Sequence, residues 1–127
     1  MNDEQYALHC RGEFAEFCKT LMKRTEALDE ADSFRELANA FEKASSGADD
    51  LYAKGPALIF RLFETYPDFA PTFPRELLWF LGGECLHFMP DEEISVFQQL
   101  DELRGAAQIR GEVLDFQAAR AKLMKSQ

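Results

Sequence analysis

The chain has 127 residues and a formal net charge of −9, from 23 acidic and 14 basic residues. A chain of this length fits one domain, so we expect residues 1–127 to form a single helical domain. The negative charge disfavours direct binding to the phosphate backbone of nucleic acids and docking on an anionic membrane surface.

The sequence has no segment typical of a membrane span or a secretory leader. The longest apolar run, residues 77–81, is far shorter than the roughly 18 residues that cross a bilayer. The first residues include Asp3 and Glu4, whereas a secretory leader begins with a positively charged region. Three cysteines, an odd number, are typical of reduced thiols in such a chain. We therefore expect a cytoplasmic protein.

The apolar composition favours helices over strands. The chain contains 12 phenylalanines but only two valines and three isoleucines. Strands prefer β-branched residues, whereas helices prefer Ala, Leu, Glu, Lys, Gln and Arg. The composition therefore predicts an all-α fold whose core is built from Phe and Leu.

Apolar residues recur every three to four positions along most of the chain, which is the helical period. This pattern predicts helices over residues 3–28, 33–46, 56–66, 74–88, 90–109 and 115–125. Ser33 and Glu36 fit the capping-box pattern, so we expect Ser33 to be the N-cap of the second helix. Asp115 is expected to cap the last helix.

The start of the third helix is ambiguous. Leu51 lies seven residues before Leu58 and is in phase with the apolar stripe of this helix. Pro56 lies between them, has no N–H group and would clash with the carbonyl of Tyr52 in a regular helix. We expect the helix to start at Pro56 after a short turn. A continuous, kinked helix through Gly55 and Pro56 is the alternative.

Residues 74–88 differ from the other predicted helices because positions 77–81 are all apolar, so this part of the helix has no polar face. A helix that is apolar all round is buried. The apolar phase persists from Leu81 to Cys85, so we expect the helix to continue through the two glycines between them. The sequence thus predicts a compact, irregular all-α bundle of five to six helices around a buried central helix at about residues 74–88.

Residues 82–93 include one cysteine, one histidine and four carboxylates, and all of these side chains are common metal ligands. On a helix, Glu84 and His87 are three positions apart and can meet, whereas Cys85 and His87 point about 200° apart. We therefore expect any metal or small-molecule site at Glu84, His87 and Asp91. An ion pair or a hydrogen bond between Glu84 and His87 is the alternative.

No motif in the sequence specifies a reaction. There is no Cys-x-x-Cys pair, no Gly-rich phosphate loop and no serine nucleophile motif. His9, the other histidine, is expected to be a partly exposed surface residue. We predict no cofactor, and the absence of these motifs favours a protein without catalytic activity but does not exclude an enzyme.

The remaining hypotheses concern binding partners. The first is a small acidic protein-interaction or adaptor domain of unknown function, in which Phe69, Phe73, Trp79 and Met89 line a groove for a partner helix or a second copy of the chain. Burial of all four in the core is an equally favoured alternative. The second hypothesis is a metal- or small-molecule-binding domain, and the third is a nucleic-acid mimic.

Overall fold

The computed structural model describes residues 2–47 and 50–125, which form an all-α fold with no strand in these ranges. The helices are α1 (Asp3–Thr25), α2 (Ser33–Ser46), α3 (Asp50–Thr65), α4 (Arg75–Leu81), α5 (Asp91–Ile109) and α6 (Phe116–Lys125). Two 3₁₀ segments, Pro67–Phe69 and Gly83–Phe88, flank α4. The all-α prediction is therefore confirmed.

Helix α1 provides the longest face of the core. Its buried residues follow the helical period, and they include Cys10, Phe14, Cys18 and Leu21. This stripe packs against α2, where the ring centroid of Phe41 lies 5.9 Å from that of Phe14. Because this stripe faces inward against α2, the packing fixes the orientation of α1 in the bundle.

Two helix starts illustrate how local hydrogen bonds set the boundaries. The predicted N-cap of α2, Ser33, is wrong by one residue, because the Asp32 carboxylate accepts a hydrogen bond of 2.8 Å from the backbone N–H of Phe34. Aspartate caps a helix as well as serine does. The predicted cap of α6 is confirmed, since the Asp115 carboxylate accepts from the N–H of Ala118 at 3.1 Å.

Helix α3 is continuous through Pro56, so the predicted start at Pro56 is wrong and the continuity expected in the alternative is confirmed. The extra turn buries Leu51 and brings Gly55 against α4, where an added Cβ would lie 3.5 Å from Leu81 Cδ1. Burial of one leucine contributes about 1.5–3 kcal/mol. This gain is comparable with the roughly 3 kcal/mol that an interior proline costs.

The predicted central helix over residues 74–88 is also wrong in its length. Helix α4 ends at Leu81, because Gly82 and Gly83 adopt φ angles of 63° and 53°. These angles are easily reached only by glycine, and the chain continues as a 3₁₀ segment. Leu77 and Leu78 are fully buried in α4, but Trp79 is only half-buried. The long helix α1 therefore supplies much of the core that was expected from α4.

One cluster of buried residues includes members from all six helices. Helix α6 joins this cluster through Phe116, whose ring centroid lies 5.3 Å from that of Tyr6. The expectation of a single domain over residues 1–127 stays a prediction. In the described part of the chain, no helix has the length and apolar character needed to cross a membrane.

Candidate functional site

An open cleft of about 890 Å³ runs between α1, the segment that leads into α4, and α6. This volume is in the range of small-molecule sites. Part of its wall is aromatic, with the ring centroids of Phe17 and Phe73 4.7 Å apart. Charged residues from three helices also line it. The cleft therefore combines an apolar surface with convergent polar groups.

Two of the polar groups lie one turn apart on α1. His9 Nε2 is 3.1 Å from Glu13 Oε1, and both side chains are about one quarter exposed. The spacing of four residues places the two side chains on the same face of the helix. His9 and Glu13 directly precede the buried residues Cys10 and Phe14, so the core packing of α1 fixes the direction in which both side chains point.

The third group, Glu76, comes from the first turn of α4 and is 5% exposed. One ligand atom from each of His9, Glu13 and Glu76 lies within 4.8 Å of the other two. Two ligands that bind one ion at about 2.1 Å are separated by about 3.0–3.4 Å in octahedral or tetrahedral geometry. Small side-chain adjustments therefore bring the three atoms to metal-ligand spacing.

Two atoms of this group are left unsatisfied. His9 Nε2 and Glu13 Oε2 are closed to solvent and have no hydrogen-bond partner among the described residues. The contact of 3.1 Å between His9 and Glu13 has the distance of an ion pair without the geometry of a hydrogen bond. A buried polar atom without a partner is costly, and a bound cation would satisfy both atoms together.

Arg120 of α6 forms an ion pair with Glu76 at the side of this group. Its guanidinium also lies 5.4 Å from the ring centroid of Phe97 on α5. Glu13 and Glu76 carry two negative charges against one positive charge on Arg120. The two carboxylates therefore outnumber the one guanidinium, and this excess of negative charge favours a cation.

Arg75, which also lines the cleft, has a structural role. Its Nε donates to Glu93 Oε1 at 2.9 Å, and its other nitrogens donate to the carbonyls of Ala70 at 2.7 Å and Phe88 at 2.9 Å. These bonds hold the start of α4 against α5 and the second 3₁₀ segment. They position Glu76, the next residue, at the cleft.

The cysteine nearest to the group along the chain is unsuited to metal binding. Burial raises the pKa of the Cys10 thiol to about 12. The thiolate is the form that binds metals and attacks electrophiles, so a thiol with this pKa is inert near neutral pH. Burial also raises the pKa of Cys18 to about 12 and raises the pKa of Cys85.

The three residues that the sequence predicts as metal ligands do not form a comparable cluster of side chains. Glu84, His87 and Asp91 are all exposed, and the first two lie on the 3₁₀ segment after Gly82. Within residues 2–47 and 50–125, His9, Glu13 and Glu76 are the only group of three or more such side chains that meets the 4.8 Å distance. Metal binding at Glu84, His87 and Asp91 stays a prediction.

The four aromatic and sulfur-containing residues expected at a partner groove are divided between core and surface. Phe73 and Met89 are buried, at 1% and 5% exposure. Phe69 and Trp79 are half-buried. Trp79 Nε1 donates a hydrogen bond of 3.1 Å to Asp101 Oδ2, so the surface beside the indole ring carries a polar group. Partner binding by these four residues stays a prediction.

Sequence reasoning missed the group in the cleft, although two local signals point to it. His9 and Glu13 have the spacing of four residues that places ligands together on one helix face. Glu76 is a carboxylate directly before Leu77 and Leu78, in a helix with little other polar character. The pairing of α1 with α4 depends on tertiary packing, which these signals do not encode.

The chain matches a protein family over most of its length. A family model described as PA2817-like matches residues 5–127, which is nearly the whole chain. The chain belongs to the PA2817-like family. The matched range includes His9, Glu13, Glu76 and Arg120, so the candidate group lies within the family region. No curated protein and no solved structure matches the chain. The family description names no activity.

Proposed function

We propose that this protein is a helical domain that binds a divalent transition-metal ion, with His9, Glu13 and Glu76 as the ligands. The observation that carries the proposal is the meeting of three ligand atoms within 4.8 Å on two helices, at a cleft. The unsatisfied His9 Nε2 and Glu13 Oε2 support it independently.

The ligand types narrow the choice of metal. One imidazole and two carboxylates suit Zn²⁺, Mn²⁺ and Fe²⁺. Ca²⁺ and Mg²⁺ prefer sites made of oxygen ligands alone, so the histidine disfavours them. Three protein ligands leave at least one coordination position open, as in catalytic rather than structural zinc sites. In this cleft, water or a small anionic ligand would take the open position.

The test compares the two histidines of the chain in otherwise identical proteins. After treatment with a chelator, wild-type protein is titrated with Zn²⁺ and with Mn²⁺ in a calorimeter. We expect one equivalent to bind, His9→Gln to lose binding by about tenfold or more, and His87→Gln to bind as wild type does. Loss of binding in His87→Gln with retention in His9→Gln would instead support the site at Glu84, His87 and Asp91.

A second observation supports protein binding, the first hypothesis from the sequence. Tyr52, Trp79 and Phe80 line a second cavity of about 410 Å³, and Tyr52 is half exposed. Tyr, Trp and Phe are enriched at protein interfaces. We propose that this aromatic surface binds a protein partner in the cytoplasm, a compartment that suits three free cysteines. Crosslinking from a photoreactive residue at position 52 in cells tests this proposal, and absence of any adduct counts against it.

A further inference from the structure

Helix α6 presents a charged residue on its inward face. Phe116 is buried, and Ala119 and Leu123 pack against the core from positions three and seven residues later. Arg120 lies in the same stripe, four residues after Phe116, where a helix normally carries an apolar side chain. An arginine on an inward face is stable only when it is paired.

The partner of Arg120 is Glu76, which is also the buried ligand of the proposed metal site. The side chain of Glu76 is 6% exposed and that of Arg120 is 24% exposed, so both charges are shielded from water on at least one side. The pair is therefore an electrostatic link between α6 and α4. The guanidinium of Arg120 also lies over the Phe97 ring, which adds an attraction to α5.

We propose that metal binding at His9, Glu13 and Glu76 competes with Arg120 for the Glu76 carboxylate and so releases α6 from the bundle. This inference rests on the proposed function. A divalent cation bound to Glu76 neutralises the charge that holds Arg120 and places a second positive charge close to the guanidinium. Arg120 then loses its partner on the inward face, and α6 loses the contact that compensates this arginine.

The exchange involves no covalent step. The Glu76 carboxylate passes from the guanidinium to the metal ion, and Arg120 returns to water. Phe116 and the part of Phe97 under Arg120 lose their cover when α6 leaves. The metal would thus regulate the exposure of an aromatic surface, and α6 would act as an internal competitor for the metal.

Metal binding and the docking of α6 are thermodynamically linked in this proposal. If metal and Arg120 compete, removal of Arg120 strengthens metal binding, and metal weakens α6 docking by the same factor. We expect Arg120→Gln to bind Zn²⁺ about tenfold more tightly than wild type, within the range of about 5- to 150-fold for coupled sites. Arg110→Gln is the matched control, because Arg110 is exposed and pairs with Glu112 away from the cleft.

The experiment measures amide hydrogen exchange of residues 116–125 in wild-type protein with and without saturating Zn²⁺, beside Zn²⁺ titration of the two arginine variants. The wild-type exchange measurement needs no substitution, so it decides the matter even if Arg120→Gln fails to fold. Faster exchange in α6 with Zn²⁺, absent from His9→Gln, supports the proposal.

The possible failures can be told apart. If Zn²⁺ binds through His9 but α6 exchange is unchanged or slower, the metal function stands and the release of α6 is overturned. If Arg120→Gln binds Zn²⁺ equally or more weakly, Arg120 supports the ligand instead of competing, and the release is again overturned. If wild-type protein binds no metal, both the function and the inference are wrong.

Discussion

His9 Nε2 and Glu13 Oε1 lie 3.1 Å apart on successive turns of α1, at the edge of the stripe that forms the core. Each of these residues directly precedes a buried one, and Glu76 likewise directly precedes Leu77. The backbone positions of all three candidate ligands are therefore set by core packing. The geometry of the group depends on the same contacts that stabilise the fold.

The ion pair between Glu76 and Arg120 predicts a strong asymmetry between single and double substitutions. Glu76→Leu leaves Arg120 without its partner and is expected to lower the free energy of unfolding by about 2 kcal/mol. This is less than for a fully buried pair because Arg120 is partly exposed. The double variant Glu76→Leu with Arg120→Met should recover most of the loss. Urea unfolding of both variants measures the two free energies, and a double variant that is less stable than Glu76→Leu would contradict the pairing.

The continuous helix α3 predicts that Pro56→Ala stabilises the protein. In the helix interior, proline lacks the N–H that would bond the carbonyl of Tyr52, so alanine should raise the free energy of unfolding by about 1–3 kcal/mol. Pro67→Ala is the control, because Pro67 opens a 3₁₀ segment and its missing N–H costs nothing there. A neutral or harmful effect of Pro56→Ala in thermal unfolding would favour a helix that starts at Pro56.

Alanine is expected to have opposite effects on stability at Gly82, which ends α4, and at Gly105, which lies inside α5. Gly82 has φ 63° and ψ −152°, a conformation that is almost restricted to glycine, so Gly82→Ala is expected to cost about 1–3 kcal/mol. Gly105 lies inside α5, where an added Cβ meets nothing within 4 Å, and Gly105→Ala should gain about 0.5–1 kcal/mol. Denaturant unfolding measures both. Stabilisation by Gly82→Ala would indicate that the helix continues through residue 82.

The buried thiols predict a loss of stability at alkaline pH. Burial raises the pKa of Cys10 and Cys18 from 9.0 to about 12, so the unfolded chain releases these protons at lower pH than the folded chain does. Their contribution is complete below pH 9.0 and is lost as the pH rises from there to about 12. In that window each thiol should lower the free energy of unfolding by about 1.4 kcal/mol per pH unit.

Substitution of one thiol checks this assignment. Cys10→Ala is expected to remove the share of one thiol, about 1.4 kcal/mol per pH unit, from the slope between pH 9 and 11, because this group no longer titrates. The stability of this variant at pH 7 is lower for a separate reason, the loss of buried volume. An unchanged slope in urea unfolding across this range would mean that Cys10 ionises in the folded protein.

The helices could be predicted from the sequence because burial imposes a period that the side chains record. Cys10, Phe14, Cys18 and Leu21 show this period, and the core face of α1 follows from them. The boundaries at Pro56 and Gly82 could not be predicted in the same way. There the outcome depends on what the neighbouring helix offers, since Leu51 is buried and Gly55 fits closely against Leu81.

The candidate site could be predicted only in fragments. The helix spacing places His9 beside Glu13, but nothing in the sequence indicates that Glu76 or Arg120 meets them. The sequence predicts Glu84 and His87 as ligands because they are three positions apart. The two glycines before them end α4, however, and both side chains are exposed. Proximity along the chain therefore does not place Glu84 and His87 in a buried setting, whereas His9 lies beside the core stripe of α1.

A crystal structure of the protein soaked with Zn²⁺, with anomalous diffraction recorded at the zinc edge, tests metal binding at His9, Glu13 and Glu76. We predict one strong anomalous peak at about 2.0–2.2 Å from His9 Nε2 and from carboxylate oxygens of Glu13 and Glu76. A peak beside Glu84 and His87, or no peak on the protein, would contradict the account.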